Sequence, residues 1–422
     1  MDNILRLIKK MIPRNLFRAL QPAYHYALAF VAATIYRFPS RQIKVVAITG
    51  TKGKTSTTEI VNAILEEAGY RTALAGTLRF KIAEEEERNL YKMTIPGRFF
   101  VQKFLRRAVN AKCDWVIIEM TSEGAKQYRH KFIDFDALIF TNLSPEHIES
   151  HGSFENYKDA KLSIARALAS SPKRPRILVA NTDNEYAHEF LAAETETKTT
   201  YSLKDADPYT LKKDETTFTF AGTPLLVHLS GAFNLSNILA GISFARTLNI
   251  SPEVIRRALE KFHGIRGRVE RINMGQEFDV VVDYAHTPDS LEKVYEVFQD
   301  SRNICVFGGT GGGRDSWKRP VMGSIASAHC DEIIITDDDP YDEDSKKIAE
   351  EILAGIEGKK AEIIIDRRAA IAKALSLAKT GDAVIITGKG TDPYIMGPNG
   401  TKTPWDDATV AREELAKLGY KK

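Results

Sequence analysis

The sequence has few cysteines and no large excess of charge of either sign. Cys113, Cys305 and Cys330 are the only cysteines in 422 residues, an odd number without a CxxC pair. A disulfide framework or a zinc ribbon is therefore not expected, and a reducing cytosol fits this cysteine usage. Lys and Arg number 59 against 56 Asp and Glu, a formal net charge of +3. This balance does not indicate a nucleic-acid partner, so an anionic ligand needs a local site.

The amino-terminal region lacks an apolar run long enough to span a bilayer. Its apolar stretch, AYHYALAFVAATIY at 23–36, has 14 residues and follows Lys9, Lys10, Arg14 and Arg18. It could be a signal-peptide core, an interfacial helix or a packed helix. A signal peptide conflicts with the cytosolic chemistry that residues 50–55 indicate, so we favour a packed or membrane-surface helix.

Beyond Arg41 the sequence alternates between strand and helix patterns. IKVVAITG at 43–50 is a buried-strand run, and the next segment repeats apolar residues at helical spacing until Gly69. Further strand candidates form two series: 115–120, 137–142 and 176–181, then 279–286, 303–309, 332–339, 362–366 and 383–390. The acidic run 84–87 is expected to be a solvated loop. The pattern predicts two α/β domains that join near 264–268.

The sharpest motif is GTKGKT at 50–55, between a predicted strand and a predicted helix. Such a turn presents backbone N–H groups and the positive helix end to phosphate oxygens. Lys54 adds a point charge, and the Thr55 hydroxyl can ligate Mg²⁺. The motif is a shortened version of the general loop, which has a glycine where Ile48 stands. We interpret it as a nucleotide site rather than a chance turn, because of the strand and the helix that flank it.

This shortened loop resembles that of the Mur ligases, the ATP-dependent amino-acid-adding enzymes of peptidoglycan synthesis. Similar family elements follow in order: Glu119 with MTSE, TNLSPEHIESHGS (141–153), YKDAK (157–161), GAFNLSNILAG (231–241), GRVERI (267–272), VDYAHTPDSL (282–291), GGRDSWKRPVMG (312–323), TDDDPYDED (336–344), DRRAAI (366–371) and GKGTDPY (388–394). DYAHTPDSL and KRPVMG are most similar to the tripeptide synthetase branch, MurE. The resemblance covers residues 43–407, and so many elements in one order make coincidence negligible.

The resemblance implies an α/β fold with a P-loop central domain of mostly parallel strands and a carboxyl-terminal Rossmann-like domain. The expected boundaries are 1–42 for a helical extension, 43–267 for the central domain and 268–422 for the second domain. The implied activity is ADP-forming amide synthesis. A carboxylate is activated as an acyl phosphate, an amine attacks it, and phosphate leaves.

The resemblance also assigns site residues. The catalytic set is Lys54, Glu119, His147 and Lys161, with Thr55, Glu119, His147 and a carbamylated Lys161 around Mg²⁺. The ATP contacts are Gly50, Thr51, Lys52, Gly53, Lys54, Thr55, Ser56, Asn142, Asn234, Asn237, Arg268, Asp283, His286, Arg314 and Lys318. Each has a plainer alternative. A Glu or His after a strand is often a cap, Lys161 would ordinarily be a surface lysine, and the two asparagines could simply start a helix.

Substrate contacts implied by the resemblance are Thr94, Ser122, Arg129, Asp338, Asp339, Tyr341 and Lys389. In the MurE branch, Asp-Asn-Pro-Arg meets the incoming amino acid, and its Arg reads the distal carboxylate of diaminopimelate. Here Tyr341 replaces that Arg and Asp339 replaces the Asn. We therefore expect a lysine-like or ornithine-like substrate with a cationic side chain. The alternative is that the acidic run is a solvated loop that never touches substrate.

Departures from the family leave the acceptor open. Residues 1–42 are too few for the α/β domain that holds the UDP part of the acceptor in the family. Glu123 and Glu146 replace a usual His and Asp. The leading hypothesis is a MurE-type ligase acting on a peptide-like or cell-wall precursor. The alternatives are a non-UDP acceptor, as in cyanophycin synthetases and folylpolyglutamate synthases, and an inactive nucleotide-binding regulatory subunit.

The expected partners are an acceptor carboxylate and an amino acid, with no nucleic acid. The expected location is cytoplasmic. Residues 1–42 could add peripheral membrane contact or self-association.

Overall fold

The computed structural model describes residues 14–146, 148–313 and 316–421, which fold as two compact units. The first unit takes the chain up to Ser202 together with Asn237–Ile255. The second takes Leu203–Ser236 and the chain from Arg256 onward. Both units contain a mostly parallel sheet with helices, so the predicted α/β fold class is confirmed.

The first unit is built on one eight-stranded sheet. Its elements are α1 (Arg14–Ile35), β1 (Lys44–Thr49), α2 (Lys54–Glu67), β2 (Thr72–Ala75), β3 (Arg79–Ile82), β4 (Glu85–Arg88), α3 (Arg98–Asn110), β5 (Trp115–Met120), α4 (Ser122–Lys126), β6 (Ala137–Phe140), α5 (Ile148–His151), α6 (Phe154–Ala169), β7 (Ile177–Asn181), α7 (Ala187–Leu191) and β8 (Thr197–Tyr201). The strand order is β4-β3-β2-β5-β1-β6-β7-β8; the pairs β2–β3 and β3–β4 are antiparallel, and the other described pairs are parallel.

Strand β1 lies at the centre of this sheet, between β5 and β6. Val45, Val46, Ala47 and Ile48 are fully buried, as expected for a parallel strand covered on both faces. β1 is parallel to both neighbours, so the carboxyl ends of the three strands lie side by side. Ligands bind at this edge of open α/β sheets.

The acidic run 84–87 differs from the expected solvated loop. Residues Glu85–Arg88 form β4, the edge strand of the large sheet, which pairs antiparallel with β3. The three glutamates of β4 are exposed. The sequence hides this strand because EEER lacks the apolar alternation that predicts strands.

The apolar stretch 23–36 lies largely within helix α1. Ala29, Ala32 and Ala33 are buried, in agreement with the expectation that this helix packs on the protein. None of the described helices is long and apolar enough to cross a membrane.

The second unit contains a six-stranded sheet and two small antiparallel sheets. Its elements, together with the helices α8 and α9 that cross the unit boundaries, are β9 (Tyr209–Leu211), β10 (Thr216–Phe220), β11 (Thr223–Val227), α8 (Ala232–Thr247), α9 (Pro252–Glu260), β12 (Glu270–Arg271), β13 (Asp279–Val282), α10 (Pro288–Glu296), β14 (Asn303–Phe307), α11 (Lys318–His329), β15 (Glu332–Ile335), α12 (Ser345–Leu353), β16 (Ala361–Ile363), α13 (Arg367–Leu377), β17 (Ala383–Ile386), β18 (Tyr394–Met396), β19 (Lys402–Pro404) and α14 (Asp407–Lys417). The larger sheet has the order β12-β13-β17-β14-β15-β16, and only β12 is antiparallel.

Cys305 and Cys330 form a single disulfide, which the sequence analysis did not predict. Cys305 lies in the central strand β14, and Cys330 directly follows α11. The fold brings their Cα atoms to 6.1 Å, although 25 positions separate them in sequence. Spacing of this kind carries no pairing signal, because connectivity depends on the tertiary fold. Cys113 remains a buried free thiol.

Candidate active site

The glycine-rich loop joins β1 to α2 at the centre of the first sheet. Gly53 has a φ of +80°, and a Cβ there would lie 2.2 Å from the Asn237 side-chain oxygen. A Cβ at Gly50 would lie 1.9 Å from the hydroxyl of Thr141. Both positions therefore need glycine, and the loop ends at the amino end of a 14-residue helix. Such a loop is suited to bind phosphate oxygens through backbone N–H groups.

Two lysines converge on one carbonyl of this loop. The ammonium group of Lys54 lies 3.0 Å from the Gly50 oxygen and 2.9 Å from the Thr51 oxygen. Lys161, on α6, places its Nζ 2.6 Å from the same Gly50 oxygen. Lys161 is 1% exposed, so the surface-lysine alternative is wrong. Burial lowers the pKa of Lys161 well below its usual value, and the charge of Lys54 lowers it further.

Glu119 is a buried carboxylate beside the loop. It follows Ile118 near the end of β5, and one oxygen accepts a hydrogen bond from the Thr55 hydroxyl at 3.1 Å. Thr77 donates to the same carboxylate through its backbone N–H and its hydroxyl, both at 2.9 Å. The Thr77 hydroxyl also lies 3.0 Å from that of Thr94. A chain of hydrogen bonds thus joins Thr55 of the loop to Thr94, a predicted substrate residue. Thr77, which links them, was not among the predicted site residues.

The oxygens of Thr55 and Glu119 suit Mg²⁺, which binds oxygen ligands and commonly combines one or two carboxylates with substrate phosphates. Among the described residues, no group of three or more His, Cys, Asp or Glu could hold a metal by itself. The predicted ligand His147 lies outside the described residues. The expected cofactors, ATP and Mg²⁺, fit these residues: Thr55 and Glu119 would hold Mg²⁺, and nucleotide oxygens would complete its coordination.

The other predicted loop contacts lie around the same turn. Asn142 follows β6 and accepts from the Lys52 N–H at 2.9 Å, while the Lys52 ammonium pairs with Glu146 at 3.0 Å. Thr51 bonds to the Tyr157 hydroxyl at 2.8 Å. Ser56 is buried in the first turn of α2. The structure therefore brings the predicted loop contacts Thr51, Lys52, Ser56 and Asn142 together in the first unit.

Asn237 belongs to this group, since its side chain covers Gly53 and lies 3.5 Å from the Thr57 hydroxyl. Asn234, also on α8, instead donates to the Ser230 carbonyl at 2.9 Å within the second unit.

Two arginines lie close together on the predicted acceptor side. Arg129 is 6% exposed and donates to the Ile95 carbonyl and the Gln127 side chain, both uncharged. Burial lowers the pKa of Arg129, and the charge of Arg98 lowers it further. The buried Nε atoms of both guanidinium groups have no hydrogen-bond partner among the described residues. Arg98 begins α3 and was missed, because an Arg at a helix start carries no sequence signal for binding.

Neighbouring predicted positions have local partners. Ser122 is buried at the start of α4. Glu123, which stands in place of the usual His, accepts from Ser150 at 2.7 Å and lies 3.3 Å from the His151 ring nitrogen.

The second unit holds the predicted contacts from the later motifs. The guanidinium of Arg268 lies 4.5 Å from the centre of the Tyr284 ring. Asp283 accepts from the backbone N–H groups of Val269 and Ala285, at 2.7 and 2.6 Å. The His286 ring bonds to the Tyr284 carbonyl at 2.8 Å. Lys318 begins α11, and Arg314 lies outside the described residues.

A buried charge cluster unites the GKG and DDD motifs in the second unit. The ammonium of Lys389 lies 2.7 Å from Asp339, 3.2 Å from Asp392 and 3.5 Å from Asp338. Asp338 and Asp339 are 3% and 6% exposed, so the solvated-loop alternative is wrong for both. Burial raises the pKa of Asp338. Three carboxylates surround one ammonium, so carboxylates outnumber the single cation Lys389 in this group of contacts.

A buried histidine should make the stability of the first unit sensitive to acid. Burial lowers the pKa of His130 to about 3 from 6.5. The folded state keeps the ring neutral, whereas the unfolded state protonates below pH 6.5. We expect the free energy of unfolding to fall by about 1 kcal/mol per pH unit between pH 6 and 4 from this group. Urea unfolding at several pH values should show that His130→Phe reduces the slope, while the exposed control His188→Phe keeps it. Equal slopes would contradict the assignment.

Comparison with known sequences identifies relatives over most of the chain. The Mur ligase middle domain matches residues 48–245, and the Mur ligase, glutamate ligase domain matches residues 267–390. The UDP-N-acetylmuramoyl-L-alanyl-D-glutamate--2,6-diaminopimelate ligase of Syntrophomonas wolfei is 38% identical, over 93% of this chain and 82% of that protein. The UDP-N-acetylmuramyl-tripeptide synthetase of a Roseiflexus species is 37% identical, over 94% and 84%.

Solved structures of other proteins share the fold of this chain. A UDP-N-acetylmuramoyl-L-alanyl-D-glutamate--2,6-diaminopimelate ligase superposes with a TM-score of 0.61 at 27% identity, over 90% of this chain and 79% of that one. The folylpolyglutamate synthase of Mycobacterium tuberculosis complexed with ADP shares the fold, with a TM-score of 0.67 at 15% identity over 92% and 93% of the two chains. Together with the loop, the paired lysines and the buried glutamate, these matches show that the chain belongs to the Mur ligase family of ATP-dependent ligases.

Proposed function

We propose that this ligase adds a lysine-like amino acid to the carboxylate of a peptide-like cell-wall precursor. The observation that carries the ligase chemistry is the convergence of Lys54 and Lys161 on the Gly50 carbonyl, with Glu119 bonded to Thr55 nearby. Lys54 supplies positive charge where a γ-phosphate would transfer to a carboxylate, and Thr55 and Glu119 would hold Mg²⁺ beside it. Phosphoryl transfer depends mainly on such positioning and charge compensation.

Lys161 is proposed to act as a carbamate. Its lowered pKa supports a neutral amine, whose nitrogen can attack CO₂. An N–C bond then forms, one proton is released, and the side chain becomes an anion. An anion here would attract the ammonium group of Lys54, and it would add oxygen ligands suited to Mg²⁺.

The acceptor is proposed to bind on the side of Thr94, Ser122 and Arg129. Arg98 and Arg129 offer two guanidinium groups that no described carboxylate neutralises by a salt bridge. Guanidinium groups bind carboxylates and phosphates in bidentate geometry. We therefore expect the acceptor to present an anionic group here, beyond the carboxylate that is activated.

The choice of amino acid is proposed to depend on the Lys389 cluster and Tyr341. Asp339 is already bonded to Lys389 and to the Met396 N–H, so it does not offer a free carboxylate to substrate. Because three carboxylates surround the single ammonium of Lys389, this region still disfavours binding of a second substrate carboxylate. Tyr341 cannot supply the bidentate contact that an arginine would give to diaminopimelate.

Amino-acid-dependent ADP release tests this proposal. The purified chain is given ATP, Mg²⁺ and an acceptor, either UDP-N-acetylmuramoyl-L-alanyl-D-glutamate or the same dipeptide without the nucleotide, and products are identified by mass. We expect lysine or ornithine to exceed diaminopimelate and glutamate. Tyr341→Arg should shift the preference toward diaminopimelate by about tenfold, the scale of a charge-assisted contact. Tyr341→Phe, the matched control, should keep the original preference.

A preference of the unaltered chain for diaminopimelate or glutamate would refute the lysine proposal. Absence of ADP release with every acceptor and amino acid would instead favour a nucleotide-binding subunit without ligase activity.

We propose that residues 1–42 act in positioning the enzyme rather than in the ligase reaction.

A further inference from the structure

Helix α1 is held firmly on the first unit by one of its faces. Ala29, Ala32 and Ala33 are buried, and the rings of Tyr26 and Phe30 lie 5.1 and 5.4 Å from that of Phe132. Beyond the carboxyl end of the helix, Arg106 of α3 donates two hydrogen bonds to the Tyr36 carbonyl, at 3.0 and 2.9 Å. The position of this helix is therefore fixed by packing and by hydrogen bonds.

The opposite face of α1 is apolar and exposed. Leu20, Tyr24, Val31 and Ile35 are 53%, 56%, 44% and 60% exposed, and their spacing with Ala27 places them along one side of the helix. No Asp, Glu, Lys or Arg occurs between positions 19 and 36. A helix on a water-facing surface normally directs charged residues outward. An apolar stripe of this size marks an interaction surface.

The charge of the surrounding sequence restricts the partner. Residues 1–42 contain seven Lys and Arg and one acidic residue, whereas the remaining 380 residues contain 52 basic and 55 acidic ones. The basic residues stand on both sides of the apolar stretch, five before position 19 and Arg37 and Arg41 after it. A second copy would bring two strongly positive segments together, which opposes association. An anionic surface complements them.

We propose that α1 lies in the interface of an anionic lipid bilayer. Leu20, Tyr24, Val31 and Ile35 enter the boundary between headgroups and acyl chains, and the positive charge of the surrounding sequence attracts the anionic headgroups. A basic amphipathic helix binds such membranes by buried apolar area and by attraction to anionic headgroups. Tyr24 suits this depth, because its ring is apolar and its hydroxyl is polar.

Helix α1 also lies close to residues of the proposed acceptor side of the ligase site. Burial lowers the pKa of Arg98, and the nearby Tyr24 partly opposes this shift, while Tyr26 contacts the ring of Tyr128, next to Arg129. The proposed membrane-facing helix thus borders the proposed acceptor side. This point rests on the proposed function: if the acceptor binds beside Arg98 and Arg129, it binds near the bilayer surface.

Vesicle co-sedimentation of the full chain tests the membrane proposal. The probes are vesicles of equal parts phosphatidylglycerol and phosphatidylcholine, compared with phosphatidylcholine alone. We expect partition into the anionic vesicles at least about tenfold stronger, weakened by added salt. The double variant Leu20→Ser with Val31→Ser should lose binding about tenfold or more, because these exposed side chains supply the apolar contact. The control Leu353→Ser with Leu418→Ser changes two exposed leucines of the second unit and should bind normally.

Three outcomes would overturn the proposal. The first is that the protein stays in the supernatant with anionic vesicles. The second is equal binding to both vesicle types. The third is a dimer in light scattering that only the Leu20 and Val31 substitutions disperse. Circular dichroism of the variants checks that the fold is retained. ADP release with a soluble acceptor is measured separately, so failure of the membrane proposal and failure of the ligase proposal are distinguishable.

Discussion

Lys54→Ala is expected to lower ligase turnover by about a thousandfold or more while leaving the fold intact. The Lys54 ammonium lies within 3.0 Å of two loop carbonyls, at the position where the loop would hold the transferring phosphoryl group. Removing a charge that acts on the transition state of a phosphoryl transfer has effects of this size. The measurement is single-turnover and steady-state ADP formation with saturating substrates, together with thermal unfolding of the variant.

A matched variant separates the role of Lys54 from general damage to the loop. Lys52→Ala removes a lysine two positions earlier, whose ammonium pairs with Glu146 at 3.0 Å. We expect a much smaller loss in that variant. ADP formation near the wild-type rate in Lys54→Ala would rule out the assigned role.

Lys161→Ala is expected to be nearly inactive, with turnover reduced about a hundredfold or more, and to regain part of its activity in acetate. The reason is that the proposed carbamate on Lys161 would supply a negative charge, which a small carboxylate could restore from the space that the alanine leaves. Removal of CO₂ from the buffers should lower the activity of the unaltered enzyme, and bicarbonate should restore it. Initial rates of ADP release measure all three effects.

Lys161 is fully buried, so its loss could also disturb packing. Lys161→Met keeps most of the volume, and it should fold normally but remain inactive. Lys158→Ala is the control on the same helix, since Lys158 pairs with Glu189 at 2.9 Å and does not reach the loop. Unchanged activity in Lys161→Ala, or equal losses in Lys161→Ala and Lys158→Ala, would exclude the carbamate.

Much of the fold was predictable because buried parallel strands are continuous apolar runs. The run 115–120 coincides with β5, and 43–50 contains all of β1. The edge strand β4 was not predictable, since Glu85–Arg88 gains its strand conformation from pairing with β3 rather than from its own residues. The Cys305–Cys330 bond likewise depends on where β14 and α11 come together.

The candidate site was predictable where a motif carries the chemistry. The loop follows β1 and Glu119 lies near the end of β5, so they lie together because β1 and β5 are neighbouring parallel strands. The polar residues at the ends of these two strands are the sequence signal for a shared site. The burial of Lys161 was not visible, because a lysine on a helix normally faces solvent. Arg98 and Thr77 were missed because their partners come from other elements. The pairing of Asp339 with Lys389 joins residues 50 positions apart, which no local pattern encodes.

The charged edge of the first sheet affects how this protein behaves at high concentration. An exposed edge strand offers unpaired N–H and C=O groups on which another chain can add a strand, a common start of aggregation. The β4 sequence EEER places three exposed glutamates on that strand, and two of them pair with Arg107 and Arg79, so an approaching strand would have to displace charged, hydrated side chains before any backbone bond could form. We therefore expect the sheet that carries the nucleotide loop to resist strand addition at this edge.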